Sequence, residues 1–188
     1  MKLLFIPFLS LVFSFGCAST QQQSGNPVQS VALQGKPGDV VVLIFASPDC
    51  PISNALAPEY ERQHKDMVEA GNRFYLVHAR ADVTEERAAK HASDYSLTMP
   101  VIIDSRQVLV KAMNATVTPE AVVLVFDEKG KWSKVYQGRI NDLYASLGNR
   151  RDHATRFWLR DAVEAASNGN TVAVAYRAPL GCYIEKMP

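Results

Sequence analysis

Short apolar runs and longer amphipathic stretches alternate along the first half of the chain. Residues 40–46, VVVLIFA, are apolar throughout and rich in β-branched side chains, which is typical of a strand buried on both faces of a sheet. Residues 52–70 have a helical composition and predict a helix, which Pro58 should kink. Residues 74–79, FYLVHA, predict a second buried strand, and residues 84–95 predict a helix with a Thr cap and two acidic residues in its first turn.

The second half of the chain changes from alternating units to a hairpin. Residues 101–104, VIID, predict a short extended piece, and residues 107–113 predict a short helix. Residues 121–126 and 132–138 predict two antiparallel strands joined by a turn, because Gly130 between them supplies the positive φ that such a turn favours. We expect this hairpin to end the sheet.

A final helix is predicted over residues 155–167. Trp158, Ala162 and Ala165 would share its apolar face, and Gly169 follows its end. Such a helix would cover the sheet. The order of elements therefore predicts an α/β fold, a three-layer α/β/α sandwich with a central mixed sheet.

The first 17 residues, MKLLFIPFLSLVFSFGC, form a different kind of segment. A lysine near the start, an apolar run and small residues before Cys17 are typical of an export signal, and the run is shorter than the about 20 residues of a membrane span. Its end resembles a bacterial lipoprotein signal, which implies that Cys17 becomes a lipid anchor. Ser14 and Phe15 depart from the lipoprotein pattern, so simple cleavage by signal peptidase remains an alternative.

We divide the chain into a signal of residues 1–17, a flexible tether of residues 18–36 and one domain of residues 37–184. The expected location is the bacterial cell envelope or periplasm, where a lipid on Cys17 would attach the protein to the membrane.

Of the 188 residues 47% are hydrophobic, which suits one domain with a core, and the formal net charge is +1. Because this charge creates no long-range field, a nucleic-acid partner is not expected.

Two cysteines follow the signal, Cys50 and Cys182. Cys50 stands between the first predicted strand and the next helix, where free N–H groups and the helix dipole stabilise a thiolate and lower the thiol pKa. Because export allows disulfides to persist, the two cysteines form a structural bridge, a redox pair or no bond at all. The alternative for Cys50 is an inert, buried thiol.

The four histidines show no ligand spacing, so no metal or other cofactor is expected.

Four stretches of the domain are informative together: VVLIFASPDCPISNALAPEY, TVTPEAVVLVFDEKGK, YQGRINDLY and the closing GCYI. They resemble the thioredoxin fold and, within it, the AhpC/TSA family of alkyl hydroperoxide reductases and thiol-specific antioxidant proteins, over residues 38–184. The resemblance implies that Cys50 is the reactive cysteine and faces a cis-proline bond at Thr118-Pro119. The backbone there would pair with an extended substrate or line the sulfur pocket. An exported subset of such redoxins carries DCPISN, a GRI-D-Y segment and a late Gly-Cys.

Departures from the family pattern limit the chemistry. Ser53 occupies the position of the second cysteine of a thioredoxin, so no disulfide can close within CPIS. Ser47 matches the peroxiredoxin hydroxyl three residues before the reactive cysteine, but Leu43 replaces the proline expected four residues further back. Asp49 adjoins Cys50, and an adjacent carboxylate is expected to raise the pKa of the thiol.

Cys182 is the candidate resolving residue. Met99 stands where the exported subset often has a cysteine, which leaves Cys182 as the partner for Cys50. In PLGCYI the proline and glycine give the tail the freedom that a resolving cysteine needs, whereas an unpaired thiol in an irregular tail is the alternative. Arg139 is a further candidate, for stabilising the thiolate or polarising a peroxide oxygen, and a solvated loop charge is its alternative.

The sequence thus predicts an exported thiol-based redox protein that acts on a peroxide or a disulfide-bearing protein, with an unidentified thiol or electron-donor protein as a second partner. With peroxide, Cys50 becomes a sulfenic acid, Ser47 and backbone N–H groups hold the peroxide, and Cys182 or an external thiol restores the sulfur. With a disulfide, the bound chain lies along Thr118 and Pro119. The alternative is a non-enzymatic binding or assembly module, with Cys50 and Cys182 as inert thiols or as a staple worth about 4 to 5 kcal/mol.

Overall fold

The structure is a computed structural model that describes residues 32–187. Its strands are β1 (Val40–Ala46), β2 (Arg73–His78), β3 (Val101–Ile103), β4 (Val117–Thr118), β5 (Glu120–Phe126), β6 (Trp132–Gly138), β7 (Tyr144–Ser146), β8 (Asn149–Arg150), β9 (Tyr176–Arg177) and β10 (Cys182–Tyr183). Its helices are α1 (Pro51–Ala55), α2 (Ala57–Glu69), α3 (Glu85–Asp94), α4 (Val108–Met113) and α5 (Trp158–Ser167). The predicted signal, Cys17 and the first part of the predicted tether lie outside the described residues. Among the helices just given, none is both long and apolar enough to cross a membrane.

Six strands form one mixed sheet in the order β3-β2-β1-β5-β6-β9. β1 runs parallel to β2 and antiparallel to β5, so that Ile44 lies between Leu76 and Ala121. β2 and β3 are parallel, and β5 and β6 form the predicted hairpin, in whose turn Gly130 has a φ of +71°. β1 is therefore a central strand, which explains why all seven of its residues are buried.

Successive side chains of β1 point into two apolar cores on opposite faces of the sheet. Ile44 belongs to the core that contains Tyr60 of α2 and Leu159 of α5. Phe45 belongs to the other core, with Met113 of α4. Helices therefore cover both faces, and the predicted three-layer α/β/α sandwich with a central mixed sheet is confirmed.

The helix predicted over residues 52–70 is in fact two helices. α1 ends at Ala55, Leu56 separates it from α2, and Pro58 lies in the first turn of α2. Proline fits there because the first turn of a helix needs no hydrogen bond from its backbone nitrogen. Pro58 therefore helps to begin a helix and does not kink one, which corrects the prediction.

The last helix also differs from its prediction. It begins at Trp158 instead of residue 155, and Trp158 and Ala165 are only partly buried at the margin of its apolar face. The buried residues of α5 are Leu159, Ala162, Val163 and Ala166.

The C-terminal segment is not the irregular tail that the sequence led us to expect. β9 pairs in parallel with the end of β6, and β10 pairs antiparallel with β4. These strands are two residues long, so their formation depends on tertiary partners and leaves no periodic pattern in the sequence. The return of the chain to β4 brings Cys182 next to the residues that precede β5.

Asp142 fixes the segment before α5 and accounts for the late start of that helix. Its carboxylate accepts from the backbone N–H and the hydroxyl of Thr155, at 2.7 and 2.8 Å, and from the N–H of Arg156 at 2.9 Å. Burial alone would raise the pKa of Asp142, but the N–H groups of Arg156 and Thr155 and the Thr155 hydroxyl outweigh it and lower the pKa to about 2.

Replacing this carboxylate is expected to destabilise the domain and to change its acid sensitivity. Asp142→Ala should lower the free energy of unfolding by about 1–3 kcal/mol at neutral pH, because three donors lose their acceptor. A carboxylate with a depressed pKa stabilises the fold above its unfolded pKa of about 3.9 and loses that contribution as the pH falls towards 2. Urea unfolding across this range should therefore show a smaller loss of stability in the variant. Asp152→Ala, at an exposed position nearby, is the control, and equal acid sensitivity in Asp142→Ala and the parent would contradict the assignment.

Candidate active site around Cys50

Cys50 lies at the junction of β1 and α1, as the sequence predicts. It is the N-cap residue of α1, and the backbone N–H of Ser53 points at its sulfur at 3.5 Å. Pro51 occupies the first turn, where it fixes the backbone for the helix start. Only 1% of Cys50 is exposed, so its thiol meets solvent through a cleft and not at an open surface.

The Thr118-Pro119 peptide bond is cis and faces Cys50, as the resemblance implies. The Cys50 thiol donates to the carbonyl oxygen of Thr118 at 3.0 Å. This contact joins the β1–α1 junction to β4 across 68 positions of sequence. The pairing of β1 with β5 sets the distance, since Pro119 leads directly from β4 into β5.

Cys182 completes the cleft. In the β4–β10 pair its Cα partner is Thr118, whose carbonyl receives the Cys50 thiol. Gly181 allows this approach, because a Cβ added there would lie 2.0 Å from the Thr118 carbonyl oxygen. Both cysteines are free thiols, Cys50 buried and Cys182 exposed, and both line one cleft of about 230 Å³.

The two thiols have opposite pKa shifts. Burial alone would raise the pKa of Cys50, but hydrogen bonds from the Cys182 thiol and from the N–H groups of Ser53 and Cys182 outweigh it, and the pKa is lowered from its ordinary value. The Thr118 carbonyl favours the protonated thiol, but several donors oppose this single acceptor. Although Cys182 is an exposed residue, desolvation of its sulfur at the cleft and the neighbouring Cys50 sulfur raise its pKa to about 11. Cys50 is therefore the first of the pair to become a thiolate.

Ser47 lines the same cleft, but its polar groups are used within the loop. Its hydroxyl accepts from the N–H of Asp49 at 3.3 Å, its carbonyl accepts from the N–H of Cys50 at 3.2 Å, and its own N–H donates to the Ser53 hydroxyl at 3.3 Å. Ser47 therefore holds the turn that carries Cys50. The backbone N–H groups of Asp49 and Cys50 are therefore already paired in this turn.

Asp49 does not act on Cys50 as an uncompensated negative charge. The guanidinium of Arg87 binds its carboxylate at 2.6 Å, and that of Arg80 approaches it at 3.6 Å. Asp82 bridges the same two arginines at 2.8 and 2.7 Å. The expected rise in the pKa of Cys50 is therefore opposed by two neighbouring positive charges.

Arg80 is a residue of the cleft that the motifs did not reveal. It follows the end of β2 by two residues, Cys50 follows the end of β1 by four, and β1 and β2 are parallel. Residues after the carboxyl ends of parallel strands meet at one edge of a sheet. This placement was the available signal for Arg80, whereas its pairing with Asp49 and Asp82 depends on the tertiary structure.

Arg139 does not line the cleft of about 230 Å³ that contains Cys50. Its guanidinium donates to the backbone carbonyls of Ala178 and Tyr144 at 2.8 and 3.1 Å. Arg139 lines a separate small cleft with Pro119 and Leu180. Its observed contacts hold backbone segments, and a role at the thiolate stays a prediction.

Two buried histidines contact residues on either side of Cys50 in the sequence, Ala46 and Asn54. His78 Nδ1 lies 3.1 Å from the Ala46 carbonyl, and His91 Nε2 lies 3.0 Å from the Asn54 side-chain oxygen. Burial lowers the pKa of both rings, that of His78 to about 4. Across residues 32–187 no three His, Cys, Asp or Glu side chains are grouped as metal ligands would be.

Comparison with protein families decides the relationship of this chain to known proteins. Residues 14–135 match the model of the AhpC/TSA family, which is more than half of the 188 residues. The chain belongs to the AhpC/TSA family. The resemblance seen in the residues around Cys50 and Thr118-Pro119 is thereby confirmed at the level of the family. None of the curated proteins matches this AhpC/TSA-family sequence.

Solved structures share the fold of this AhpC/TSA-family protein. An uncharacterized conserved protein from Geobacillus kaustophilus is 24% identical over 81% of this chain and 80% of its own, with a TM-score of 0.66. A hypothetical protein from Sinorhizobium meliloti 1021 is 21% identical over 85% of this chain and 84% of its own, with a TM-score of 0.68. At these identities the similarity extends to the fold alone, which is thioredoxin-like in its sheet and its cis-proline.

The side chain at position 182 is expected to tune the pKa of Cys50. In a Cys17→Ser background, Cys182→Ala should raise the pKa of Cys50, because the thiolate loses a side-chain donor. Cys182→Ser is the matched control, since its hydroxyl still donates. The measurement is the ultraviolet thiolate absorbance as a function of pH. Equal titration midpoints in the Ala and Ser variants would show that this donor does not control the Cys50 pKa.

Proposed function

We propose that this protein is an exported thiol–disulfide redox protein in which Cys50 is the nucleophile and Cys182 is its resolving partner. The observation that supports this most is the pair of free thiols in one cleft, with the pKa of Cys50 lowered and that of Cys182 raised. A nucleophile needs an accessible thiolate, and a resolving thiol must keep its proton until the first bond has formed. The two cysteines fit these two roles.

The reaction has two steps and transfers two electrons to the substrate. The Cys50 thiolate attacks one sulfur of a substrate disulfide, forms a mixed disulfide and releases the other substrate sulfur as a thiolate. Cys182 then loses its proton and attacks the Cys50 sulfur, which forms the Cys50–Cys182 disulfide and releases the second substrate thiolate. An external dithiol, in the form of an electron-donor protein, restores the two thiols and is itself oxidised.

Peroxide reduction by the same pair is the second candidate, and it is favoured by membership of the AhpC/TSA family. Cys50 would become a sulfenic acid with release of water or an alcohol, and Cys182 would then form the disulfide with release of water. Two contacts favour disulfide exchange as the first candidate. The N–H groups of Asp49 and Cys50 are already bound to Ser47, and Arg139 is bound to backbone carbonyls.

We infer the location and the organisation of the chain from its N-terminal sequence. The apolar run of residues 1–17 supports export, and Cys17 supports a lipid anchor on the envelope membrane. Residues 18–36 would then be a tether and residues 37–184 the redox domain. An envelope compartment suits the proposed chemistry, because disulfides persist there as substrates.

The proposal is tested by two reaction rates of the reduced chain in a Cys17→Ser background, one with a small aryl disulfide and one with hydrogen peroxide. The expected result is a rapid reaction with the disulfide that is lost in Cys50→Ser. Cys182→Ser should retain the first step but stop at the mixed disulfide, because no resolving thiol remains.

The reference is the rate of a free thiol such as N-acetylcysteine. If peroxide alone reacts faster than the reference, the second candidate replaces the first. If neither substrate exceeds the reference, both candidates fail. The pair would then be a structural staple or inert thiols in a binding module.

A further inference from the structure

The segment that carries Cys182 crosses the cleft as a strap. We define the strap as residues 178–185. At one end Arg139 holds the carbonyl of Ala178 at 2.8 Å. At the other end the N–H of Ile184 donates to the carbonyl oxygen of Thr116 at 3.0 Å, and the side-chain amide of Gln107 donates to the carbonyl oxygen of Glu185.

The strap forms part of the wall of the cleft that reaches the Cys50 sulfur. Cys50 is 1% exposed, and the cleft that reaches it has Cys182, Tyr183 and Ile184 of the strap in its wall. A volume of about 230 Å³ admits a small molecule. When the disulfide belongs to a polypeptide substrate, the backbone on either side of its cysteine must also fit beside Cys50. The strap occupies that space.

The strap also occupies the backbone edge on which an extended polypeptide would bind. Cys182 and Tyr183 of β10 pair with Thr118 and Val117 of β4. An extended peptide binds a sheet edge through the same main-chain hydrogen bonds. The position opposite Thr118 is the one from which a sulfur reaches Cys50, and in this structure a cysteine of the chain itself, Cys182, fills it.

From these contacts we propose that the strap is an internal stand-in for an extended, cysteine-containing polypeptide substrate, and that such a substrate binds β4 by displacing it. The inference rests on the proposed thiol–disulfide exchange and adds to it the class of substrate and the control of access. Small disulfides react with the strap in position. Polypeptide disulfides react only when the strap has left β4.

Few interactions hold the middle of the strap, which makes its displacement feasible. β10 has two residues, and 89% of Tyr183 is exposed. Ile184 is the one apolar side chain of the strap in the core next to α4. Return of the strap to β4 would bring Cys182 back to Cys50, so that one movement resolves the mixed disulfide and expels the reduced polypeptide from the edge.

Gly181→Ala tests this proposal, because its Cβ would lie 2.0 Å from the Thr118 carbonyl oxygen and push the strap from β4. The background is Cys17→Ser and Cys182→Ser, so that Cys50 is the sole thiol. One substrate is a synthetic extended peptide with a single cysteine in a mixed disulfide with thionitrobenzoate. The other is the small symmetrical disulfide of thionitrobenzoate. Release of the coloured thiolate measures both rates.

Gly181→Ala should raise the rate with the peptide about tenfold or more, as expected if the strap-bound state loses at least about 1.4 kcal/mol. The ratio of the peptide rate to the small-disulfide rate is the decisive number, because losing the strap's hydrogen bonds to Cys50 affects both rates alike. Ser146→Ala, at an exposed position of β7 outside the strap and the cleft, is the control. Near-ultraviolet circular dichroism checks that each variant is folded.

A second variant keeps the test decisive if Gly181→Ala does not fold. Gln107→Gly removes the side-chain hydrogen bonds to Glu185 and Met187 while tolerating the φ of +55° at that position. It should raise the same rate ratio.

An unchanged ratio in the folded variants would overturn the strap proposal and leave the exchange function intact. Failure of Cys50 to react with the small disulfide in any variant would instead overturn the proposed function, and the strap proposal with it.

Discussion

The carbonyl oxygen of Thr118 accepts the Cys50 thiol at 3.0 Å, and the geometry of the whole cleft depends on this contact. The antiparallel pairing of β1 with β5 brings the two ends together, since Cys50 follows β1 and Pro119 precedes β5. Thr118 also pairs with Cys182. One residue therefore positions both thiols, and this arrangement relies on a sheet whose central strand is fully buried.

Electrostatic compensation makes a buried thiolate feasible at this site. Burial alone would raise the pKa of Cys50 and favour the protonated thiol. Hydrogen bonds from Cys182 and Ser53 outweigh this effect and lower the pKa. The charges at the rim are also balanced, because Arg87 and Arg80 neutralise the carboxylate of Asp49. Thiolate formation thus depends on a second thiol from the far end of the chain, which couples the chemistry of Cys50 to the position of the strap.

The sequence predicted the elements whose signals are local. Apolar runs identify β1 and β2, and the cap and acidic first turn identify α3. The cis bond at Thr118-Pro119 and the position of Cys50 followed from the family resemblance. The features that escaped prediction depend on contacts between distant residues. β10 has too few residues for a periodic pattern, and Arg87 reaches Asp49 across 38 positions. Gly181 illustrates the limit, because the atoms that exclude a side chain there belong to Thr118 and Pro119, more than 60 positions earlier in the sequence.

The most direct test of the account is whether Cys50 and Cys182 form one disulfide during turnover. The reduced chain, with Cys17→Ser, is treated with one equivalent of a small disulfide, the remaining thiols are blocked, and the protein is digested without reductant for mass spectrometry. The account predicts a linked peptide that contains Cys50 and Cys182, with both substrate thiols released. A Cys50 mixed disulfide that persists beside a blocked, unreacted Cys182 would contradict it.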